Sequence, residues 1–270
     1  MVAAAAVQNL MGYYVVGSPL VPQTETAEWV ARQADQRDVG KDGSFQLKMR
    51  LYDRQQRVRE RDLTIKTMRA TAGGTKSSVD GDRMLIRFSY PNDIKGTAFL
   101  VWEHPAAEDE RFLYLPALGR VRRITGAEAQ DNFVGSDFTY EDISGRELDD
   151  YTYTMVEQNA SWSGSEGKSV PAYRIESRAK DAQARFPRIV STIRKDNFVV
   201  VHADIYNRRD ERQKVYEVRK LDLIQSIWTL SDVSMTDASA KTHTDLSLTN
   251  VRYNLGLKEG DFSRRELEVK

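Results

Sequence analysis

The chain has 270 residues, 40% of them hydrophobic, which is sufficient for one large core or two small ones. Forty Lys plus Arg balance forty Asp plus Glu, so no net field attracts nucleic acid or an anionic membrane surface, and only local patches remain. The absence of cysteine excludes thiol nucleophiles, thiolate metal sites, disulfides and a lipid-modified N-terminal Cys, so the chain is expected not to be a lipoprotein itself.

Residues 1–23 form a charge-free, apolar-leaning leader broken by Gln8, Asn9, two glycines and two prolines. It is too interrupted for a membrane span and lacks a basic start, so it reads as a degraded export signal, with a plain flexible leader as the alternative. Residues 24–270 are expected to form a single domain. From Thr24, TETAEWVARQADQRD places Ala27, Val30, Ala31 and Ala34 on one face, with Glu25 and Glu28 near the start, and predicts an amphipathic helix.

After Gly40 and Gly43 the period changes. In FQLKMRLYD, Phe45, Leu47, Met49 and Leu51 alternate with Gln46, Lys48, Arg50 and Tyr52, as in a strand with one buried face. RERDLTIKTM, RMLIRFSY, TAFLVWEH, RFLYLPA and GRVRRI continue the pattern, punctuated by Gly, Asn, Asp and Pro. It returns in YTYTMVEQ, AYRIES, RIVSTIRK, FVVVHADIY, QKVYEVRKLDLI, SIWTLSDVSM and HTDLSLTNVRY. Roughly a dozen strands with short connections predict a mainly β chain with a few helices (α+β), its antiparallel sheet large enough to curl. Ser263 and Glu266 have the spacing of a capping box for a short closing helix.

Sites are few. His104, His202 and His243 are too scattered to suggest zinc, and no metal or cofactor is expected. In SWSGSEGKS a phosphate loop would need glycine where Trp162 stands, and a hydrolase elbow with Ser165 as nucleophile would need it at Ser163, so a polar hairpin loop is the better reading. Between Gly135 and Tyr153 six carboxylates alternate with aromatics, without a calcium-loop pattern or a nearby histidine. Thr139 with Asp142, and Ser144 with Glu147, have the spacing to cap short helical turns. A metal or catalytic role, and a docking surface paired with Arg120, Arg122 and Arg123, are the other readings.

GTAFLVWEHPAAEDERFLYLPALGRVRRITG followed by FVGSDFTYEDISGRELDDYTY resembles the periplasmic outer-membrane lipoprotein-sorting family, in its LolA-like branch found beside transporters of the resistance-nodulation-division (RND) and MMPL type. The resemblance is carried by Gly96-Thr97-Ala98, Trp102-Glu103, Leu113 to Arg123 and Gly135 to Asp142. Ala27-Glu28-x-Val30, Asp53-Arg54, Ile86-Arg87-Phe88, Tyr206 to Arg209 and Asn250 to Leu257 follow in the expected order. It covers about Thr24 to Leu267.

The resemblance implies a curved antiparallel half-barrel of about eleven strands, with helices covering its concave face and enclosing an apolar cavity for acyl chains. It implies no enzyme. The lining would come from Leu47, Met49, Leu63, Ile65, Met84, Ile86, Phe88, Leu100, Trp102, Leu113 and Leu115 on successive strands, from Phe133, Phe138 and Tyr140 on the intervening turns, and from Trp228. The same side chains could equally fill a core. Phe138, Tyr140 and Ile143 would cover the sheet as a plug while the carboxylates cap the turns and face water. Arg120, Arg122 and Arg123 are paired strand-edge charges or a site for lipid phosphate or transporter carboxylates. The implied role is a periplasmic carrier of a lipid or lipoprotein, with an inner-membrane RND/MMPL-type transporter as partner, transient membrane contact and no nucleic acid. The alternative is a sensory or adaptor module that binds a partner protein and passes no cargo.

Overall fold

The computed structural model describes residues 25–72, 75–76, 81–104, 107–164 and 167–269. The expected leader lies outside them, as do Ser165 and Glu166 in the discounted loop.

Helix α1 spans Ala27–Asp35, its apolar face of Ala27, Val30 and Ala31 buried and its N-terminus capped by Thr26, whose hydroxyl accepts the Trp29 N–H at 3.1 Å. The strands are β1 (Asp42–Tyr52), β2 (Val58–Met68), β3 (Thr71–Ala72), β4 (Thr75–Lys76), β5 (Arg83–Tyr90), β6 (Ala98–Trp102), β7 (Glu110–Leu115) and β8 (Arg120–Ile124). After helix α2 (Tyr140–Ser144) come β9 (Tyr151–Ser163), β10 (Ser169–Ala179), β11 (Arg188–Arg194), β12 (Val200–Tyr206), β13 (Arg212–Ile224), β14 (Ile227–Asp237) and β15 (Thr242–Tyr253).

Thirteen strands form one antiparallel sheet in the order β8-β7-β6-β5-β2-β1-β15-β14-β13-β12-β11-β10-β9, while β3 and β4 make a separate two-stranded ribbon. This is two more than the eleven or so expected. The chain's first and last long strands meet at the centre, with Leu47 opposite Leu248 and Met49 opposite Leu246. β8 and β9 remain unjoined edges, so the sheet is curved but not closed.

Alternation decides which residues face inward. On β1, Leu47, Met49 and Leu51 join the inner core, while Lys48 and Arg50 face the other way and pair across strands with Asp62 (2.7 Å) and Glu60 (2.8 Å). The inner core gathers Leu63, Ile86, Phe88, Phe99, Leu113, Val201, Ile205, Val233 and Leu246 from both wings around Phe133, Phe138 and Tyr140. α1 packs on β9 and β10, with Val30 beside Tyr173, Ile175 and Ile193.

A second core lies on the outer face of the first wing. There Phe262 and Leu267, from short 3-10 turns in the C-terminal segment, cover Met68, Leu85, Leu100 and Phe112. The expected capping box at Ser263 does not form. Its side chain makes no cap, and the Glu266 N–H instead donates to the Ser263 carbonyl at 3.0 Å, as a tight 3-10 turn allows.

Candidate functional site

The segment between β8 and β9 does not pair with the sheet as a strand but folds back over its concave face. Phe133 sits among Phe88, Phe99 and Tyr140, with ring centroids 6.0, 5.5 and 5.3 Å away. Thr139 and Asp142 form the expected capping box: the Asp142 N–H donates to the Thr139 hydroxyl at 3.0 Å and the Thr139 N–H to the Asp142 carboxylate at 2.8 Å. Gly145 ends α2 at φ +104°, a conformation that side-chain-bearing residues rarely adopt.

Two expectations for this segment need correction. Ser144 is the last residue of α2 and caps nothing with Glu147; its hydroxyl accepts from the buried Arg111 at 3.1 Å. Asp137 does not face water. It is 7% exposed, accepts from Thr242 and from Thr244 (2.7 Å), and its backbone N–H donates to Thr244 Oγ1 at 3.0 Å. The fully buried Lys214 donates to the Asp137 carbonyl, so this acid bolts the plug to β13 and β15.

Between the plug, α1 and the sheet lie two adjoining hollows of about 390 and 220 Å³. The larger is bounded by Ala31 and Ala34 of α1, Glu141 and Asp142 of α2, and Ile175, Ile189, Val199, Ala203 and Met235 of the sheet. The smaller lies under the first wing, between Leu47, Met49, Leu63, Ile65, Met84 and Ile86 on the sheet and Phe133, Phe138 and Ile143 on the plug. Phe138, Asp142, Tyr216 and Leu230 border both, so these four form the partition.

Eight of the expected lining residues therefore border the smaller hollow: Leu47, Met49, Leu63, Ile65, Met84, Ile86, Phe133 and Phe138. Phe88, Leu113 and Tyr140 are packed into the inner core, and Leu115 and Trp228 lie against it. Leu100 and Trp102 are on the opposite face. Because alternation on β6 turns Phe99 and Val101 inward, Leu100 and Trp102 pack under the C-terminal segment, where Trp102 Nε1 donates to the Phe262 carbonyl at 2.7 Å. Arg120, Arg122 and Arg123 are exposed on the edge strand and line neither hollow. Arg122 pairs with Glu128 at 3.0 Å, and alternation sets Arg123 on the face opposite its two neighbours. Such charges protect a free strand edge from further pairing.

The larger hollow is not legible in the sequence. Its floor comes from AYRIES, RIVSTIRK and FVVVHADIY, whose alternation was visible, but which face lies beneath a helix is a tertiary fact. Arg37, two residues past α1, carried no signal at all.

The walls are electrically uneven. Burial pushes the carboxyl of Glu141 and the phenol of Tyr216, both wall residues, above their ordinary ranges, and it pushes the Lys214 ammonium, which lies outside both linings, below its own. Glu103, at the end of β6 near Gly145, is raised to about 8 by burial and then by the carboxylates of Asp82 and Asp109, against the opposing pull of Arg69. Among the described residues no group of three or more acidic or histidine side chains could hold a metal.

An open antiparallel half-barrel with helices over a partly hollow concave face defines a LolA-like fold. Residues 80–269 match the model of the DUF1329-like family, described as an uncharacterized protein, and the chain belongs to that family. A DUF1329 family protein from Desulfovibrio piger is similar at 26% identity and a TM-score of 0.77, over 89% of this chain and 97% of that one. A domain provisionally named outer membrane lipoprotein-sorting protein, from Vibrio parahaemolyticus, is similar at 26% identity and a TM-score of 0.78, over 90% and 98%. A LolA superfamily protein from Nitrosomonas europaea shares the fold at 14% identity and a TM-score of 0.66, over 89% and 99%. No curated protein matches the sequence. No described helix is long and apolar enough to cross a membrane.

Proposed function

We propose that the protein is a periplasmic carrier that shields a lipid, or the acyl chains of a lipoprotein, between its sheet and its covering helices. It would deliver that cargo between an inner-membrane transporter of the RND/MMPL type and the outer membrane, touching membranes only transiently. The observation that supports this is the pair of adjoining hollows, which share Phe138, Asp142, Tyr216 and Leu230 and have aliphatic floors. A protein optimised only for stability would fill such space, because each unfilled volume forfeits dispersion contacts. Acyl burial would supply about 25 cal/mol per Å² before the costs of ordering the chain. The name of the Vibrio parahaemolyticus domain points the same way.

Two measurements test the reading. Organic extracts of the purified protein are expected to contain a lipid by mass spectrometry, and a fluorescent lipid probe is expected to bind and be displaced by unlabelled lipid. A protein that yields no lipid and binds no probe is not a carrier. Co-purification with a transporter under those circumstances would assign it to the adaptor class.

A further inference from the structure

Arg37 lines the larger hollow and is the one cation there without a carboxylate partner among the described residues, Arg146 being paired with Asp142. One Nη donates to the Trp228 carbonyl at 3.1 Å, and this is its single hydrogen bond among those residues. A guanidinium has five N–H donors, so most of its capacity is unused. Burial lowers its pKa, the mark of a charge whose lost hydration has not been replaced.

The Trp228 carbonyl is available for a local reason. The β14–β15 ladder ends at the Asp232–Ser247 pair; beyond it β14 stays with β13 and β15 with β1. Thr229 and Tyr253 hydroxyls, 2.9 Å apart, bridge the parted strands. Holding this seam therefore occupies one donor of Arg37 and leaves the others beside the hollow.

The surrounding acids are otherwise engaged or exposed. Asp142 pairs with Arg146 and caps α2, and Glu141 accepts from the Tyr151 hydroxyl at 3.4 Å. Asp38 accepts the Gly40 N–H at 2.9 Å and is exposed, and so is Asp35.

We propose that Arg37 is the head-group anchor of the larger hollow, pairing with the carboxylate or phosphate of an anionic amphiphile whose chain lies along Ile175, Ile189, Val199, Ala203 and Met235. This rests on the carrier reading and specifies its cargo. A fork of parallel donors suits an oxyanion, and the pair gains strength where apolar walls exclude water.

The test compares ligands of equal chain length on the full protein near neutral pH: dodecanoate, dodecyl phosphate and methyl dodecanoate. Wild type is expected to bind both anions about tenfold or more tighter than the ester. Arg37→Met is expected to remove that preference while leaving ester binding unchanged, and Arg37→Lys to restore part of it. Excess inorganic phosphate is expected not to displace dodecanoate, because it has no chain to bury. Equal binding of acid and ester by wild type overturns the anchor and leaves the carrier reading standing, whereas binding of none of the three ends both. Displacement of dodecanoate by inorganic phosphate marks a plain anion site and also overturns it. So does an equal loss of acid and ester binding in Arg37→Met, which would make Arg37 only a latch on the strand seam. Should Arg37→Met fail to fold, the wild-type comparison and Arg37→Lys decide the matter.

Discussion

The two faces of the sheet are covered in different ways. On the outer face of the first wing, Phe262 and Leu267 are 1% and 0% exposed. Arg87 donates to the carbonyls of Glu266, Leu267 and Val269, and Trp102 to that of Phe262, so the covering segment is held by side-chain hydrogen bonds to its backbone as well as by packing. On the inner face α1 packs on β9 and β10 and the plug packs through Phe133 and Tyr140, yet two hollows remain between them, and the plug is tied down by Asp137, Lys214 and Arg111. One face is filled for stability. The other combines the packed aromatic cluster around Phe133 with unfilled space beside it, and polar bolts at Asp137 and Ser144 add to the packing that holds its cover.

Breaking the outer face should have the largest effect. Phe262→Ala is expected to lower stability by about 3–5 kcal/mol in urea unfolding while leaving lipid-probe affinity unchanged in the folded fraction. A parallel loss of affinity would mean that the two faces are coupled.

Glu103 comes next. Its carboxyl, raised to about 8, holds a proton in the folded state that the unfolded chain has lost above about 4.5. Its contribution is therefore complete below that lower value and disappears as pH rises through 8, so stability should fall across this window. Glu103→Gln is expected to flatten the profile and to stabilise the protein at the alkaline end by on the order of 2 kcal/mol. Urea midpoints across the window for the two proteins check the sign.

Filling the inner face should act on binding. Leu230 borders both hollows, and Leu230→Trp is expected to weaken a lipid probe about tenfold with stability nearly unchanged. A marked loss of stability instead would show that there was no spare room. The smallest effect is expected at the exposed edge: Arg122→Ala should change stability by less than about 0.5 kcal/mol, by the same unfolding assay.

Much of the architecture was legible because strand alternation is a local signal. The Thr139–Asp142 box and the register of Leu47, Met49 and Leu51 needed only their own neighbours. The errors arose where a second partner decides. Leu100 and Trp102 alternate as cleanly as Leu47 and Met49, but parity within a strand cannot say which face meets helices and which meets the C-terminal segment. Asp137 looks like any turn carboxylate until Thr242 and Thr244, more than a hundred residues on, are beneath it.

Periodicity and turn chemistry by themselves determined that this chain makes a large antiparallel sheet with an amphipathic helix before it, since both depend on contacts a few residues apart. Only the tertiary structure decided which side is filled and which is hollow, and that Arg37 stands beside the hollow with one hydrogen-bond partner among the described residues. The physical reason is that voids and unpaired charges belong to the space between segments distant in the chain, where no local pattern records them.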